Sequence, residues 1–474
     1  MPDQPDGFSQ PRLIDWGTAL ETAARLAAAG PRLPRAIERA QAAAPVFRNR
    51  DYPLSPLPLF LRESAVTLVG RQLEAYVRLL EKVAALYLAE AEVRAWYGLP
   101  PTATELIEAE AAGRGRDRAT RIGVCRLDGY LERDGERLRV LENNADAPAG
   151  TLFTPRVHTV VRYVLDAAAV PVPPHAAGTV PYEAALLDAV GPGLAEARRQ
   201  HRDLSLVVLQ PRGAGNRESL EMAAAFRALG VDAFVADPRE ITVRAGRARV
   251  GGRAIDACWN KVNTVAWQRL AHSDPTLTGR WREVLRDSDL FHLNSFLVRC
   301  VAESKLTLAM VQEPRFASLF TAQERALVAG LLPWSRRVES GGGLPERLLE
   351  HQHDYVLKQP YDIRGDGVTI GGAVSRSQWA EAVGRAVKEA GVVQRYVAPA
   401  AYPVLSADVP GGEPIKVVAM PVSLDTYVLR GQVAFLGSKA SLQPRVNIFQ
   451  GGQKLSVHVV AKRPGGPDST GGPR

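Results

Sequence analysis

The chain has 474 residues, of which 46% are hydrophobic and 23% charged, and 59 basic against 51 acidic residues give a net charge of +8. This apolar fraction supplies a sizeable core and excludes wholesale disorder, and a length prior of roughly 150 residues per domain predicts about three domains. No run of about 18 apolar residues occurs, so we expect no membrane-spanning helix.

The remaining composition bears on location and partners. The first residues, MPDQPDGFSQPRLIDW, are polar and acidic and lack the pattern of a signal peptide. Cys125, Cys258 and Cys300 are far apart, which disfavours a disulfide framework or a structural zinc site and favours a cytoplasmic location. Basic residues are spread along the chain, so we expect neither nucleic acid nor membrane as a partner. This charge fits a solvated surface or a polyanionic small ligand such as a nucleotide.

Residues 1–115 are predicted to form a helical N-terminal region. Apolar residues recur at helical spacing between 64 and 90, which predicts one long helix with a single buried stripe. Shorter helices are predicted at 17–29, 33–45 and 103–112, and Gly-Pro or Pro-Pro pairs separate them from their neighbours.

The pattern changes at residue 121. Two alternating arms flank the turn Asp134-Gly135, which predicts a β-hairpin over 121–144 within a second segment, 116–168. The next segment, 169–300, alternates buried strands with helix and is predicted to form a compact α/β lobe.

Residues 301–462 are predicted to be helical at first and strand-rich later. Helices are predicted at 297–311, 321–330 and 377–390, with a strand–loop–strand element between the second and the third. The last residues, 463–474, are rich in glycine and proline and are predicted to be a disordered tail. These elements together predict an α/β (α+β) protein.

The hairpin has polar residues two positions apart on both arms: Arg126 and Asp128 on the first, Glu142 and Asn144 on the second. Residues two apart in a strand share a face, so pairing of the arms brings all four to one face. Carboxylate and amide oxygens are suitable ligands for Mg²⁺, and an arginine fork suits a phosphoryl group. A surface hairpin with solvated charges is the alternative. The Pro/Gly-containing loop that follows favours a ligand site.

Lys358 ends a predicted strand and precedes a glycine-rich turn that includes Gly365 and Gly367. The backbone amides of such a turn can fold over phosphate groups. In a P-loop the glycines precede the lysine, so this is a different element. An ordinary hairpin turn with a surface lysine is the alternative. Lys305, alone on a predicted helix, is likewise compatible with a solvated side chain.

These motifs, in this order, resemble the circularly permuted ATP-grasp proteins of the glutathionylspermidine synthase superfamily over roughly residues 120–460. The resemblance implies a circularly permuted ATP-grasp fold in which the α/β lobe is the pre-ATP-grasp lobe. It also implies that Asp128, Glu142 and Asn144 bind Mg²⁺ and that Arg126 is catalytic.

The resemblance further implies a nucleotide site in the last segment. Its residues would be the phosphate-binding Lys305 and Lys358, the turn with Gly365 and Gly367, an adenine hinge at Gln394, Tyr396 and Val397, and Asn447. Lys439 stands where many relatives have an arginine. We expect it to contact phosphate or substrate as a catalytic residue, without the bidentate fork of arginine.

The predicted function is that of an ATP-dependent carbon–nitrogen ligase. It would join a small-molecule or peptide carboxylate to an amine, or to a thiol, through an acyl phosphate, with ATP and Mg²⁺ as cofactors. A small-molecule kinase of the same fold and a non-catalytic nucleotide-binding protein are the alternatives. The helical region 1–115 is left open as a surface for substrate, for a partner, or for a second copy in a homo-oligomer.

Overall fold

The computed structural model describes residues 10–30, 32–43, 53–133, 136–176, 182–191, 194, 204–362, 366–406, 416–446, 448 and 452–461. Among these residues no helix is both long enough and apolar enough to cross a membrane. The predicted tail, 463–474, lies outside the described residues.

The helices, in chain order, are α1 (Trp16–Ala29), α2 (Arg32–Ala43), α3 (Glu63–Ala89), α4 (Ala91–Tyr97), α5 (Pro101–Arg114), α6 (Arg116–Ala119), α7 (Phe153–Ala167), α8 (Tyr182–Ala189), α9 (Arg217–Ala228), α10 (Thr264–Ser273), α11 (Leu277–Asp287), α12 (Leu306–Met310), α13 (Ala322–Leu331), α14 (Leu344–Glu350) and α15 (Arg376–Lys388). Shorter helical turns occupy Pro238–Glu240, Val298–Ala302, Pro314–Leu319, Gln352–Asp354 and Gly371–Ala373.

The strands are β1 (Leu59–Arg62), β2 (Val124–Leu131), β3 (Leu138–Asn144), β4 (Ser205–Leu209), β5 (Asp232–Ala236), β6 (Ile241–Arg244), β7 (Arg247–Val250), β8 (Arg253–Ala254), β9 (Ala257–Asn260), β10 (Phe291–Leu293), β11 (Ser335–Arg337), β12 (Tyr355–Lys358), β13 (Val368–Ile370), β14 (Val392–Arg395), β15 (Ala401–Ser406), β16 (Lys416–Pro421), β17 (Ser423–Leu429), β18 (Gln432–Ala440), β19 (Gln453–Leu455) and β20 (Val457–Val460).

A five-stranded antiparallel sheet organises the molecule, with the strand order β19-β18-β17-β2-β3. The predicted hairpin is confirmed as the pair of β2 and β3, and its turn, Asp134-Gly135, lies outside the described residues. A one-residue register shift follows Asp128. Because β17 lies beside β2, this sheet brings the C-terminal strands against the early hairpin.

The predicted α/β lobe is built on a parallel sheet with the strand order β10-β9-β4-β5. All five residues of β4 are buried, as expected for a central strand that is covered on both faces. Helix α9 joins β4 to β5 and buries Met222, Ala223 and Phe226. These elements confirm the predicted strand–helix–strand unit.

A smaller four-stranded sheet, β11-β14-β12-β13, carries its own hydrophobic core. Trp379 of α15 and Leu348 of α14 are fully buried in this core against β12 and β14. The main core is separate from it and contains residues from α1 through to β20. The small sheet therefore forms a distinct packing unit. Its strand β12 ends at Lys358, one of the lysines singled out from the sequence.

Two of the predicted elements need correction. The N-terminal region is not purely helical, because β1 pairs in parallel with β20. Three of its four residues are buried, so it shows no alternation that would reveal a strand. The helix predicted at 297–311 is interrupted between Ala302 and Leu306. At this break the Glu303 side chain accepts hydrogen bonds from a neighbouring loop, and the Lys305 N–H donates to the Pro360 carbonyl at 3.0 Å.

Candidate active site

Three carboxylates form a row across one face of the five-stranded sheet. Asp128 of β2 lies directly opposite Glu142 of β3 on one side and Asp425 of β17 on the other. Side chains alternate along a strand, so residues at paired positions point to the same side. The row places three negative charges next to one another, an arrangement that requires nearby cations to be stable.

Arg126 and Asn144 form the neighbouring row, one step along the same face. They pair across β2 and β3, and the Asn144 amide donates to the Arg126 carbonyl at 3.4 Å. The Arg126 guanidinium donates two hydrogen bonds to Asp128, at 2.5 and 2.8 Å, and a third to the Ala149 carbonyl at 2.7 Å. All four predicted hairpin residues therefore lie together on one face.

The charge state of Asp128 follows from these contacts. Burial alone would raise the pKa of the Asp128 carboxyl group, but the positive charges of Arg126 and Lys439 outweigh burial and lower it. Asp128 is therefore ionised at neutral pH. Its oxygens, with those of Glu142 and the amide oxygen of Asn144, form a hard donor set of the kind that Mg²⁺ takes when it also binds phosphates.

Lys305 occupies the β3 end of the carboxylate row. It is 2% exposed, and its ammonium group pairs with Glu142 at 2.7 Å and also with Asp362. Burial would lower the pKa of Lys305, but the two carboxylates raise it well above its ordinary value. Lys305 lies at the N-terminal end of α12, after the interrupted helix, and its fixed positive charge faces the sheet.

Lys358 lies beside Lys305 at the end of β12. Its ammonium group donates to the Leu141 carbonyl at 2.7 Å and forms no ion pair with any described residue. Burial lowers the pKa of Lys358 to about 8, and the positive charge of Lys305 acts in the same direction. A buried cation of this kind gains stability from an anionic ligand.

The loop after Lys358 is attached to the site through Asp362. Asp362 pairs with Lys305, and its carboxylate accepts a hydrogen bond from the Gly367 N–H at 3.2 Å. A Cβ at Gly367 would lie 2.8 Å from both Gln359 and Asp362, so the loop requires glycine there. The predicted Gly365 lies outside the described residues.

Lys439 occupies the β17 end of the row. Its ammonium group lies 2.9 Å from Asp425 and 3.6 Å from Asp128. Burial would lower the pKa of Lys439, but Asp425 and then Asp128 raise it. The predicted catalytic lysine therefore contacts the same carboxylate as Arg126.

Lys454 is a site residue that the sequence reading missed. It lies on β19 directly opposite Lys439 and is 8% exposed. Burial, then the charge of Lys439, lowers the pKa of Lys454 to about 8. Asp425 was missed as well. Both residues lie on strands that are buried throughout, and nothing local in the sequence links those strands to the hairpin.

Glu303 binds the main chain just after the end of β3. Its carboxylate accepts hydrogen bonds from the N–H groups of Ala145 and Asp146, at 2.5 and 2.8 Å. Burial and the neighbouring charge of Asp146 raise the pKa of Glu303 well above its ordinary value. Asp146 in turn pairs with the buried Arg299 at 2.6 Å. This network fixes the loop that follows Asn144.

The predicted adenine hinge lies at the end of β14. Gln394 is buried, and its side-chain amide donates to the Ser335 hydroxyl at 3.2 Å inside the small sheet. The Tyr396 side chain is 37% exposed and its N–H donates to the Asp354 carbonyl, while Val397 is buried. A ligand at this hinge would therefore meet main chain rather than the Gln394 side chain. The predicted Asn447 lies outside the described residues.

No family model and no curated protein sequence matches the chain. A glutathione synthetase-like effector from Globodera pallida is similar over 90% of this chain and 96% of that chain, with 11% identity and a TM-score of 0.58. A protein assigned as a gamma-glutamylcysteine synthetase from Methylobacillus flagellatus is similar over 83% and 89%, with 12% identity and a TM-score of 0.40. A RimK-domain ATP-grasp protein from Sphaerobacter thermophilus is similar over 54% and 92%, with 14% identity and a TM-score of 0.26.

The likeness to the glutathione synthetase-like effector extends over nearly the whole of both chains, so the two share a fold. The predicted α/β (α+β) class is confirmed, and the fold is one that the glutathione synthetase-like effector shares. At 11% identity this likeness concerns the fold alone. The activity therefore has to be argued from the site, since one fold can carry many functions.

Proposed function

We propose that the chain is an ATP-dependent ligase that joins a carboxylate to an amine, or to a thiol, through an acyl phosphate. The observation that carries this proposal is the carboxylate row, Glu142–Asp128–Asp425, with a pair of lysines at each end, all buried except the partly buried Lys439. Each end has one lysine whose charge is already paired and one that has no ion-pair partner among the described residues and could receive an anion. The proposed reaction joins two anions, a nucleotide phosphate and a substrate carboxylate, and so requires two cationic binding positions.

The nucleotide would bind at the Lys305 end. Lys358 offers a buried ammonium group without a carboxylate partner among the described residues, and the loop that carries Asp362 and Gly367 lies next to it. Oxygen donors from Asp128, Glu142 and Asn144 lie on the adjoining sheet face and fit Mg²⁺ by their chemistry. Bound there, Mg²⁺ would neutralise phosphate charge during phosphoryl transfer.

The substrate carboxylate would bind at the Lys439 end, where Lys454 also lacks an ion-pair partner among the described residues. One carboxylate oxygen would attack the γ-phosphorus, and the bond from that phosphorus to ADP would break. Arg126, held by Asp128 and the Ala149 carbonyl, would orient its fork toward the developing anion. The nucleophile would then attack the acyl carbon, release phosphate with the former carboxylate oxygen, and lose a proton to solvent.

We also propose that the fold is circularly permuted, as in glutathionylspermidine synthase-like proteins. The strands with the oxygen donors, β2 and β3, precede Lys305 and Lys358 in the chain. The strands that complete the same sheet, β17 to β19, come last. This order supports the permutation that the sequence motifs implied. The substrates would be a small-molecule or peptide carboxylate and an amine or thiol.

Trapping of the acyl phosphate tests the function. The purified chain is incubated with ATP, Mg²⁺ and a pool of carboxylates, with hydroxylamine as a small nucleophile. A ligase forms a hydroxamate and ADP, and ¹⁸O from the labelled carboxylate appears in free phosphate. A kinase would form a stable phosphorylated alcohol, and a non-catalytic nucleotide-binding protein would form neither product. Either of these last two results would overturn the ligase proposal.

A further inference from the structure

Three histidines from distant parts of the chain meet away from the carboxylate row. His158 lies on α7, His175 on the proline-rich linker after it, and His458 on β20. One ring nitrogen from each lies within 4.8 Å of the others. Among the described residues, this is the one cluster of three or more histidine, cysteine or acidic side chains close enough to share an ion.

The two ring nitrogens of His458 differ in their hydrogen bonding within the described part of the chain. His458 is 0% exposed, and its Nε2 donates to the Pro173 carbonyl at 3.0 Å. Its Nδ1 is buried and has no hydrogen-bond partner among the residues that the structure describes. A metal-binding histidine usually has this arrangement, in which one nitrogen donates to a carbonyl and thereby fixes the tautomer of the other. An orphaned buried nitrogen is otherwise unfavourable.

The other two rings, those of His158 and His175, are partly exposed to solvent. The ring centroids of His158 and His175 lie 4.6 Å apart, and those of His175 and His458 lie 4.8 Å apart. His158 and His175 are both half-buried, so an ion could enter past them. Burial and the neighbouring histidines lower the pKa of His158 to about 4, so its imidazole is neutral and has a lone pair at pH 7.

We propose that His158, His175 and His458 bind a late first-row divalent metal ion, foremost Zn²⁺, with solvent in the remaining position. Imidazole nitrogens favour Zn²⁺, Ni²⁺, Co²⁺ and Cu²⁺ over Mg²⁺, which prefers oxygen. This site offers nitrogen ligands, whereas the face of the five-stranded sheet offers oxygen ligands. It does not depend on the proposed ligase activity.

The geometry requires a modest adjustment on binding. At Zn–N distances of about 2.0–2.1 Å, tetrahedral ligand nitrogens lie about 3.3 Å apart, closer than the 4.8 Å limit of this cluster. The Val459 N–H donates to His175 Nδ1 at 3.0 Å, so the His175 ring has to turn to offer that lone pair. Histidine rings have a broad, two-fold torsion, which makes such a turn accessible.

Arg162 is the cation that acts on the cluster, since its charge contributes to the lowered pKa values of all three histidines. It lies four residues after His158, one turn further along α7. Its positive charge would oppose a bound cation. Removal of that charge should therefore tighten metal binding, whereas removal of an imidazole should weaken it.

Calorimetry with Zn²⁺ on the untagged full-length chain tests the proposal, after treatment with EDTA and with excess Mg²⁺ to occupy oxygen ligands. We expect one Zn²⁺ per chain and a higher melting temperature. His175→Ala should weaken binding about 100-fold or more. His272→Ala is the matched control, because His272 is an exposed histidine of α10.

His158→Gln serves as a second variant if circular dichroism shows that His175→Ala disturbs the fold. His458→Ala is a poor choice, because the His458 ring also packs against Phe60 in the core, with centroids 5.2 Å apart. Arg162→Ala should bind Zn²⁺ more tightly than the unaltered chain. The absence of saturable binding, or equal affinity for the His175→Ala, His158→Gln and His272→Ala variants, would overturn the metal site.

Discussion

Each end of the carboxylate row contains two lysines, and at both ends the pKa values of these two lysines shift in opposite directions. At one end Lys305 is paired with two carboxylates, and Lys358 is paired with none in the part of the chain that the structure describes. At the other end Lys439 is paired with two carboxylates and Lys454 with none among the described residues. The pKa is raised for each paired lysine and lowered to about 8 for each unpaired one.

Partners, rather than burial, therefore decide the charge of these lysines. Burial disfavours the ammonium form in all four, and nearby carboxylates overcome it in only two. The paired lysines hold the row together in the absence of a ligand. A bound anion would stabilise the ammonium form of the unpaired lysines most, because it would supply their counter-charge.

The two ends also differ in how the paired lysine is held. Lys439 connects two carboxylates of the same sheet, Asp128 and Asp425. Lys305 connects the sheet to the loop after β12 through Asp362. The Lys439 end is therefore built on rigid strands. The Lys305 end joins two packing units, and ligand entry there can change how the loop is held.

The largest expected effect is on catalysis, through Glu142→Gln. This change keeps the shape of the side chain and removes the negative charge that faces Lys305 at 2.7 Å. Loss of a metal ligand removes several kcal/mol of charge stabilisation, so we expect ATP turnover to fall about 10³-fold or more. Circular dichroism should remain unchanged.

Glu132→Gln is the control for that change, because Glu132 lies beyond the end of β2 and pairs with Arg139 away from the row. It should leave ATP turnover near the unaltered rate. Turnover of the Glu142→Gln protein at that same rate would show that the carboxylate row is not the reaction site.

Stability should respond to the paired and unpaired lysines with opposite signs. Lys305→Met leaves Glu142 and Asp362 without their cation and should lower the free energy of unfolding by about 3–5 kcal/mol. Lys358→Met removes a buried, unpaired charge and should raise it by roughly 1–2 kcal/mol at pH 7. Urea unfolding measures both. A loss of stability in both variants would contradict the distinction between the lysines.

The sign of the Lys358 effect also has a pH dependence. The pKa of Lys358 is lowered by folding to about 8, so between that value and the ordinary lysine pKa the unfolded chain binds the additional proton. Stability therefore rises with pH across this window, and the advantage of Lys358→Met over the unaltered chain is largest below pH 8. It should shrink as the pH increases through 8.

Local patterns were sufficient to predict the hairpin half of the site. The two-residue spacing of Arg126 and Asp128, and of Glu142 and Asn144, placed all four on one face, and the register confirms that arrangement. Neither Asp425 nor Lys454 could be found this way, because their strands join the sheet through long-range pairing. Strand pairing over such separations depends on the whole fold and leaves no local signal.

The same limit applies to the elements that the sequence reading misplaced. Strand β1 is hidden because its partner, β20, lies at the opposite end of the chain. The break before Lys305 depends on Glu303 contacting the loop at Ala145 and Asp146, which helical spacing does not reveal. Lys305 and Lys358 were both singled out from the sequence, and the structure places both at one end of the carboxylate row. Their different partners, which set their pKa values, became visible only in three dimensions.

Nucleotide binding should separate the two unpaired lysines. Lys358→Ala should weaken binding of a non-hydrolysable ATP analogue by about 1.5–3 kcal/mol, the range for a hydrogen bond to a charged group. Lys454→Ala should leave that affinity unchanged and instead slow turnover, because Lys454 lies at the other end of the row. Calorimetry and ADP release distinguish the outcomes. If Lys454→Ala were the variant that lost nucleotide affinity, the two ends would have to be exchanged.

The smallest expected effect is the pH dependence of nucleotide affinity. It identifies the lysine that contacts the nucleotide phosphate. Only the protonated form of Lys358 attracts phosphate, and its pKa in the ligand-free chain is about 8. Affinity should therefore be constant below that pH and about tenfold weaker one unit above it, since one proton is taken up with the nucleotide. Lys358→Arg stays protonated throughout and should remove this dependence.

Lys454→Arg should retain it, because Lys454 does not contact the nucleotide in the proposed arrangement. Titrations between pH 7.5 and 9.5 lie above the range in which the terminal phosphate itself changes charge. If the pH dependence of the affinity persisted in Lys358→Arg and disappeared in Lys454→Arg, the nucleotide would have to be assigned to the Lys439 end.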